Sequence, residues 1–353
     1  MFVPDMFRAR FTSLSLVVAA LASAAALGCE APPKQAPPPH DVVLYNWEDY
    51  TDRPALAEFE KRTGFHVVLK QFGTTDEALA QLQTNPGAYD VFIADCENVP
   101  LLWNTRLIAP LDLRAIPNAA LVDPSIRRFG DRALPFMQAV TGLAIDTAAV
   151  PDAEIHWSTL LDPRYRGKIA LLDDMREVTD TLLIMAGAAD RAHADFGALE
   201  EISRRLVENR VSFGDTLENL AALSSGERSI VMTYNGDFAV MEPARPGLRF
   251  ALPPEGFRLE YDCLYVSADA LNPVAANLLV DFLLDPEIAA RWSNAYGYAA
   301  VVRGTERFYD PQIASNPIAI TPPEVLRRAV VARDLGDATP RYEQLFHALR
   351  RGP

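Results

Sequence analysis

The stretch Val42–Val43–Leu44–Tyr45–Asn46–Trp47–Glu48–Asp49–Tyr50 decides the fold, because an apolar run of strand-forming residues stops abruptly at two aromatic and two acidic side chains. Residues 53–64 follow with apolar side chains at helical spacing and end in a glycine, and residues 66–70 predict a second strand. In such a β-α-β unit, ligands bind beyond the carboxyl ends of the strands. The acidic and aromatic cluster lies at such an end, so it predicts half of a cleft for a small cation.

Short predicted strands alternate with helices along most of the chain, which is typical of mainly parallel sheets flanked by helices. The long, turn-poor segment 133–145 is predicted to cross into a second lobe, and 261–266 is predicted to return to the first. The sequence therefore predicts an α/β fold with two lobes joined by hinge strands. The predicted boundaries are 41–141 plus 262–305 for the first lobe and 142–261 plus 306–353 for the second, whose tail, 322–351, is predicted to be helical and to pack back on that lobe.

The N-terminus has the pattern of an export signal. Residues 1–29 place Arg8 and Arg10 before an apolar stretch that is too short to span a membrane, which predicts a signal peptide. Ala26–Leu27–Gly28–Cys29 is similar to a bacterial lipobox and predicts lipidation of Cys29, with simple secretion as the alternative. The Pro-rich residues 30–40 predict a stiff tether. We therefore expect a periplasmic or cell-envelope protein that contacts the membrane only through its N-terminal lipid anchor.

Composition and charge limit the classes of partner. The 353 residues have a formal net charge of −14 and are 49% hydrophobic, as expected for a soluble globular protein. This acidity argues against nucleic acid as a partner. The five histidines lack metal-ligand spacing, so we predict no metal site and no cofactor. Cys96 and Cys263 are either free thiols or a disulfide, which the sequence leaves open.

Several landmarks occur in order between residue 41 and the C-terminus. They are Tyr45–Asn46–Trp47–Glu48–Asp49–Tyr50, Gly87–Ala88–Tyr89–Asp90–Val91, Trp157–Ser158–Thr159–Leu160, Tyr165–Arg166–Gly167–Lys168, Asp173–Asp174–Met175–Arg176–Glu177–Val178, Asn235–Gly236, Asp262 and Gly297–Tyr298. Together they resemble the spermidine/putrescine-binding periplasmic proteins, the receptors of polyamine ABC importers. The resemblance implies a monomer whose two lobes close on the ligand and which meets the membrane permease subunits of an importer.

The resemblance also implies a ligand site of acidic and aromatic side chains. The positions that it places in contact with the ligand are Trp47, Asp49, Tyr50, Asp174, Glu177, Tyr234, Asp262 and Tyr298. The chain departs from the family pattern at Asp95, where a small hydroxyl residue is common, and at Glu97 and Glu260, where aromatic residues are common. Val331 and Ala332 stand where a tryptophan and a glutamine would be expected. We expect these departures to change which amine is bound more than its charge.

A polyamine site needs this chemistry because a desolvated ammonium requires a carboxylate and further hydrogen-bond acceptors. Aromatic faces suit the methylene segments and add about 0.5–2 kcal/mol of cation–π attraction. We expect Asp174 and Glu177 at one end of the ligand and Asp262 at its middle or other end. Asp174 and Glu177 also form a capping-box pattern, in which Asp173 could replace Asp174 as the helix cap.

The sequence supports one main hypothesis and leaves two alternatives. The main hypothesis is an extracytoplasmic receptor, without catalytic residues, that delivers a polyamine to an importer. The altered aromatic positions motivate the first alternative, a receptor or sensor for another cationic amine. The second is a secreted hydrolase that uses a carboxylate pair such as Asp174 and Glu177 as acid and base. The sequence shows no nucleophile motif, oxyanion loop or metal set to support it.

Overall fold

The computed structural model describes residues 41–151, 155–188, 194–241 and 246–352. The predicted signal peptide, the tether and Cys29 lie outside this part of the chain. The strands are β1 (Asp41–Trp47), β2 (His66–Phe72), β3 (Val91–Asp95), β4 (Ile108–Ala109), β5 (Leu134–Asp146), β6 (Ile169–Leu172), β7 (Ser212–Gly214), β8 (Ile230–Tyr234), β9 (Leu248–Ala251), β10 (Phe257–Ser267), β11 (Ala299–Ala300) and β12 (Ala329–Val331).

The helices separate these strands along most of the chain. They are α1 (Arg53–Thr63), α2 (Thr75–Thr84), α3 (Val99–Asn104), α4 (Met175–Met185), α5 (Phe196–Glu208), α6 (Thr216–Ser224), α7 (Asn235–Met241), α8 (Pro273–Leu283), α9 (Pro286–Tyr296), α10 (Pro311–Ala314), α11 (Pro323–Leu326) and α12 (Thr339–Arg351). Within the described ranges, no helix combines the length and the apolar character needed to cross a membrane.

The opening β-α-β unit forms as predicted. The Asp52 side chain accepts a hydrogen bond from the backbone N–H of Ala55 at 2.9 Å and so caps α1. Gly64 ends the helix with φ +80°, a left-handed conformation that glycine adopts without a steric penalty. Phe59 of α1 is fully buried. β1 and β2 then pair in parallel, which sends both carboxyl ends to the same edge of the sheet.

The strands form a sheet in the order β2-β1-β3-β10-β5-β8-β6-β7. β5 runs through both halves of this sheet, because its first part pairs with β10 and its second part pairs with β8 and β9. The predicted crossing at residues 133–145 is therefore confirmed as one long strand. Helices α8 and α9 pack on the half that contains β1 and β3, with Trp292 fully buried between them.

The C-terminal tail differs from its prediction as a helical segment. α12 packs on α4 and α5 as expected, but residues 329–331 form a strand, β12, that pairs in parallel with Phe257–Leu259 of β10. β10 also begins at Phe257, four residues before the predicted start of the return strand. Hydrogen bonding to β12 extends β10 toward its N-terminal end. The residues that pair are distant in the sequence, so local patterns do not predict this contact.

The two cysteines of the folded part form a disulfide. Cys96 and Cys263 are bonded, with their Cα atoms 4.9 Å apart. The bond joins the end of β3 to the middle of β10. Both residues are buried. The alternative of free thiols is therefore wrong.

Candidate functional site

The carboxyl ends of parallel strands carry predicted site residues in both halves of the sheet. Trp47 ends β1 and Asp95 ends β3, and these strands are parallel neighbours. In the other half, Tyr234 ends β8, and Asp174 follows the parallel strand β6 by two residues. β10 lies between the two groups, and its Asp262 stands directly opposite Asp95 in the antiparallel pairing with β3. The sheet thus brings together residues from distant parts of the sequence.

A buried arginine that the sequence analysis did not identify, Arg258 of β10, lies among the predicted carboxylates. Its side chain is only 3% exposed. The guanidinium donates hydrogen bonds to Glu177 Oε1 at 2.7 Å, Asp180 Oδ2 at 2.6 Å and Glu260 Oε2 at 2.8 Å. Its Nη2 also lies 3.2 Å from Glu97 Oε2. Four carboxylates therefore share one permanently charged group.

Strand periodicity explains how Arg258 reaches this cluster. Alternate residues share one face of a strand, so Arg258, Glu260 and Asp262 project from the same face of β10. Apolar residues alternate with these charges, and this alternation could have revealed Arg258 in the sequence. The predicted strand began at Tyr261 and therefore excluded it.

Three of the predicted ligand carboxylates, Glu97, Glu177 and Glu260, are thus occupied by protein groups. Glu97 is 5% exposed and also pairs with Arg176, whose Nε lies 3.1 Å from Glu97 Oε1. The second oxygen of Glu177 accepts a hydrogen bond from the Thr141 hydroxyl at 2.7 Å. Burial raises the pKa of Glu177, whereas the adjacent Arg258 lowers it.

Asp174 caps helix α4. Its Oδ1 accepts hydrogen bonds from the backbone N–H groups of Arg176 at 2.8 Å and Glu177 at 3.0 Å. Asp173 instead forms an ion pair with Arg350, with 2.5 Å between Oδ2 and Nη2. The suggestion that Asp173 replaces Asp174 as the cap is therefore wrong. A contact between Asp174 and a ligand stays a prediction.

Asp95 and Asp262 form the part of the cluster without a cation. Over the described ranges, no ion pair includes either carboxylate, and Asp95 accepts a hydrogen bond from Thr75 at 3.2 Å. Burial raises the pKa of Asp262 to about 6, although the neighbouring Tyr50 and Trp47 side chains lower it. Burial also raises the pKa of Asp95, and nearby carboxylates raise it further, whereas the charge of Arg258 lowers it. A cation between these two groups would lower both pKa values.

Aromatic rings stand beside these carboxylates. Trp47 packs on Phe72 with ring centroids 4.5 Å apart, and it is partly exposed. Tyr50 lies 5.0 Å from Tyr296 and 5.9 Å from Tyr298, centroid to centroid. Because Tyr50 is 8% exposed, its ring belongs largely to the core. The Tyr50 side chain nevertheless lowers the pKa of Asp262.

Asp237 is a further carboxylate that the sequence analysis did not place in the site. The Tyr298 hydroxyl donates a hydrogen bond to Asp237 Oδ2 at 2.7 Å, and burial raises the pKa of Asp237 to about 6. The Tyr298 ring lies on Gly236, where a Cβ atom would come within 2.6 Å of the ring. Both Asp237 and Asp262 raise the pKa of the buried Tyr50, so Tyr50 lies near both carboxylates.

The remaining predicted residues surround this region at different depths. Asp49 is exposed, in a left-handed turn with φ +52° directly after β1. Tyr234 is partly buried, and its pKa is raised first by burial and then by Glu177, Glu260 and Asp174. Tyr234 therefore faces the cluster around Arg258, whereas Asp49 is at the solvated edge.

A small cavity, with room for about one water molecule, adjoins the carboxylates. Its lining includes Asp95, Glu97, Glu260, Arg128, Val331 and Ala332. The small side chains of Val331 and Ala332 leave this space open, at the positions where the resemblance led us to expect a tryptophan and a glutamine. The departures from the family pattern are therefore grouped around one space.

Comparison with known proteins agrees with this architecture. The profile of the bacterial extracellular solute-binding protein family matches residues 55–321. The chain is 26% identical over 321 residues to the spermidine/putrescine-binding periplasmic protein of Salmonella typhimurium, covering 88% of this chain and 92% of that protein. It is 26% identical over 341 residues to the protein of the same name from Escherichia coli, with coverages of 94% and 97%.

A solved structure shows the same fold. The spermidine/putrescine ABC transporter substrate-binding protein of Streptococcus pneumoniae superposes with a TM-score of 0.77 at 20% identity, covering 88% of this chain and 99% of that one. The predicted two-lobed α/β fold is confirmed by this likeness. The residue boundaries of the two lobes stay predictions.

Proposed function

The chain belongs to the bacterial extracellular solute-binding protein family, and on that premise we propose that it is a non-enzymatic receptor for a polyamine or a related cationic amine. The relatives from Salmonella and Escherichia, which are named as spermidine/putrescine-binding proteins, support this ligand class. In this proposal the receptor acts in the periplasm or cell envelope, as a monomer that is lipid-anchored at Cys29, and delivers its ligand to the permease subunits of an ABC importer.

The carboxylate pair Asp95 and Asp262 is the observation that carries the proposal. The two side chains face each other on neighbouring strands, carry raised pKa values and form no ion pair with a cation of the described residues, although the charge of Arg258 acts on Asp95. A ligand ammonium between them would form charge-assisted hydrogen bonds, each contributing about 1.5–3 kcal/mol. Trp47 and Tyr50 stand beside the pair and would contact the methylene segment of the ligand.

The other predicted residues take secondary roles in this proposal. Tyr234, Tyr298 and Asp174 surround the ligand, and Asp49 attracts it from the solvated edge. Glu97, Glu177 and Glu260 bind Arg258 and contribute to the electrostatic potential of the site.

The two carboxylates on which the hydrolase alternative depends are engaged, Asp174 as a helix cap and Glu177 with Arg258, so the geometry disfavours that alternative. A different cationic amine, or a sensory role, remains the second candidate because carboxylates replace aromatic residues around the cavity.

Calorimetric titration of the purified protein tests the proposal. Putrescine, cadaverine, spermidine and spermine are compared with 4-aminobutyrate, whose carboxylate the acidic site should reject. We expect at least one polyamine to bind, and Asp262→Asn to weaken that binding more than tenfold without loss of the fold. Asp269→Asn is the matched control, since Asp269 is exposed beyond the far end of β10. Absence of binding by every polyamine would overturn the proposal.

A further inference from the structure

We propose that Arg258 makes this site selective for diamines, because its guanidinium already occupies the carboxylates that a third ligand ammonium would need. The inference rests on the proposed function, in which the site binds an amine. It concerns how many positive charges that amine carries.

The first step is that a ligand does not displace Arg258. The guanidinium is hydrogen-bonded to Glu177, Asp180 and Glu260, and it lies 3.2 Å from Glu97. Each of these four carboxylates has a side chain no more than 14% exposed. Removing the guanidinium would leave several buried charges without a partner, which is strongly unfavourable. Its planar fork also bonds several carboxylates at once, which a ligand ammonium does less well.

The second step is that two carboxylate positions remain for a ligand. One is the pair Asp95 and Asp262, which forms no ion pair with a cation of the described residues, although the charge of Arg258 acts on Asp95. The other is Asp237, which is held by the Tyr298 hydroxyl. The Tyr50 ring lies 5.9 Å from the ring of Tyr298, which holds Asp237, and the Tyr50 side chain also acts on Asp262. Its ring would therefore separate the two ammonium groups of a ligand.

The third step is that no further acidic group among the described residues completes a third position. Asp174 already uses one oxygen as the cap of α4. Asp49 is exposed and remains hydrated. A third ammonium would therefore be desolvated without a carboxylate of its own. A diamine matches the available acidic positions, whereas a triamine exceeds them.

Calorimetry on three proteins tests this inference. We expect the wild type to bind putrescine or cadaverine at least tenfold more tightly than spermidine or spermine. Arg258→Met has a side chain of similar length without the charge and frees the four carboxylates. It should improve spermidine binding relative to putrescine at least tenfold. Arg258→Lys is the matched control, because it keeps a cation in place and should keep the wild-type ranking.

The outcomes separate this inference from the proposed function. If the wild type binds spermidine as tightly as putrescine, or if Arg258→Met leaves their ratio unchanged, the role of Arg258 is wrong while amine binding stands. If the wild type binds no amine, the proposed function fails and this inference fails with it. Should Arg258→Met not fold, Arg258→Met with Glu260→Gln removes a cation and one carboxylate together. The same reversal is expected there, and its absence in the folded double variant would overturn the inference.

Discussion

The two acidic regions along β10 resemble each other in sequence but differ in what neutralises them. Around Arg258, carboxylates from the segment after β3, from α4 and from β10 itself surround a guanidinium of the chain. Around Asp262, a second carboxylate and aromatic rings stand together without a cation of the described residues. The difference teaches that the number of carboxylates in a sequence does not give the charge that a ligand meets. The first region is a structural ion cluster, and the second is where we propose that a ligand binds.

Removal of the Arg258 charge should have the largest effect on stability. It tests whether the carboxylate cluster around Arg258 stabilises the fold. Arg258→Met should lower the free energy of unfolding by about 3–5 kcal/mol, because it leaves buried carboxylates unpaired. Urea denaturation measures the loss. The control is Arg291→Met, whose side chain is 30% exposed and pairs with Asp52 and Glu58. That variant should cost about 1 kcal/mol or less. Equal losses in the two variants would contradict the structural role of Arg258.

Loss of the disulfide should have the next largest effect on stability. The bond lies beside Asp95 and Asp262, where we propose that the ligand binds. Cys96→Ser with Cys263→Ser should lower the free energy of unfolding by about 2–4 kcal/mol, since the bond closes a long loop of the unfolded chain. The cysteines follow Asp95 and Asp262 directly in the sequence. The double variant should therefore also weaken amine binding. Thermal melting and calorimetry measure both effects, and a reductant should affect the wild type but not the double variant. An unchanged melting temperature would contradict this prediction.

The pH dependence follows from the raised pKa values near Tyr50. Burial raises the pKa of Asp262 and of Asp237 from 3.8 to about 6. The folded, ligand-free protein therefore holds protons that the unfolded chain has released. These two groups destabilise the fold in full above pH 6 and cease to do so below about pH 4. The melting temperature of the ligand-free protein should rise through their contribution as the pH falls from about 8 to 5.

Amine affinity should change in the opposite direction. A ligand ammonium pairs with the ionised carboxylates, so the affinity should fall about tenfold per pH unit for each proton taken up below pH 6. Calorimetry at about pH 7.5 and 5 measures the slope. Asp262→Asn removes one of the two groups and should flatten the profile. An equally steep profile in that variant would show that the dependence arises elsewhere.

Substitution of Trp47 should have the smallest effect, a loss of amine affinity. It tests whether the region around Asp262 binds the ligand. Trp47→Leu should weaken amine binding by about 0.5–2 kcal/mol, because an apolar residue replaces a ring that attracts a cation. Trp103→Leu is the control, since Trp103 stacks on Arg132, 4.5 Å from its ring centroid, outside the described site. Calorimetry compares the two variants. An equal loss for Trp103→Leu would contradict a local role of Trp47.

The fold could be predicted from the sequence where its signals are local. The β-α-β unit has its own cap at Asp52 and its own stop at Gly64, and the crossing strand β5 is long and free of turns. β12 was missed because three residues pair with a strand that lies about 70 positions away. Such pairing depends on the tertiary structure rather than on local propensity.

The site could be predicted only in part. The strand-end positions of Trp47 and Asp95 follow from the β-α-β pattern, and the structure places both at the same edge of the sheet. The pairing of Arg258 with Glu177 joins residues that are 81 positions apart, and no spacing rule connects them. Asp174 fits a helix cap and a ligand contact equally well in the sequence, and only the coordinates show that it caps α4.

The pairing of β12 with β10 also sets the order in which a nascent chain can acquire its binding surface. Trp47 and Asp95 are synthesised early, but the strand that carries Asp262 comes much later and is bordered by residues 329–331 of a 353-residue chain. Contacts between such distant segments form slowly. An N-terminal fragment that ends before β10 would hold Glu177 and Asp180 without their guanidinium. Arg258 must therefore be synthesised before Glu177 and Asp180 can be neutralised and packed.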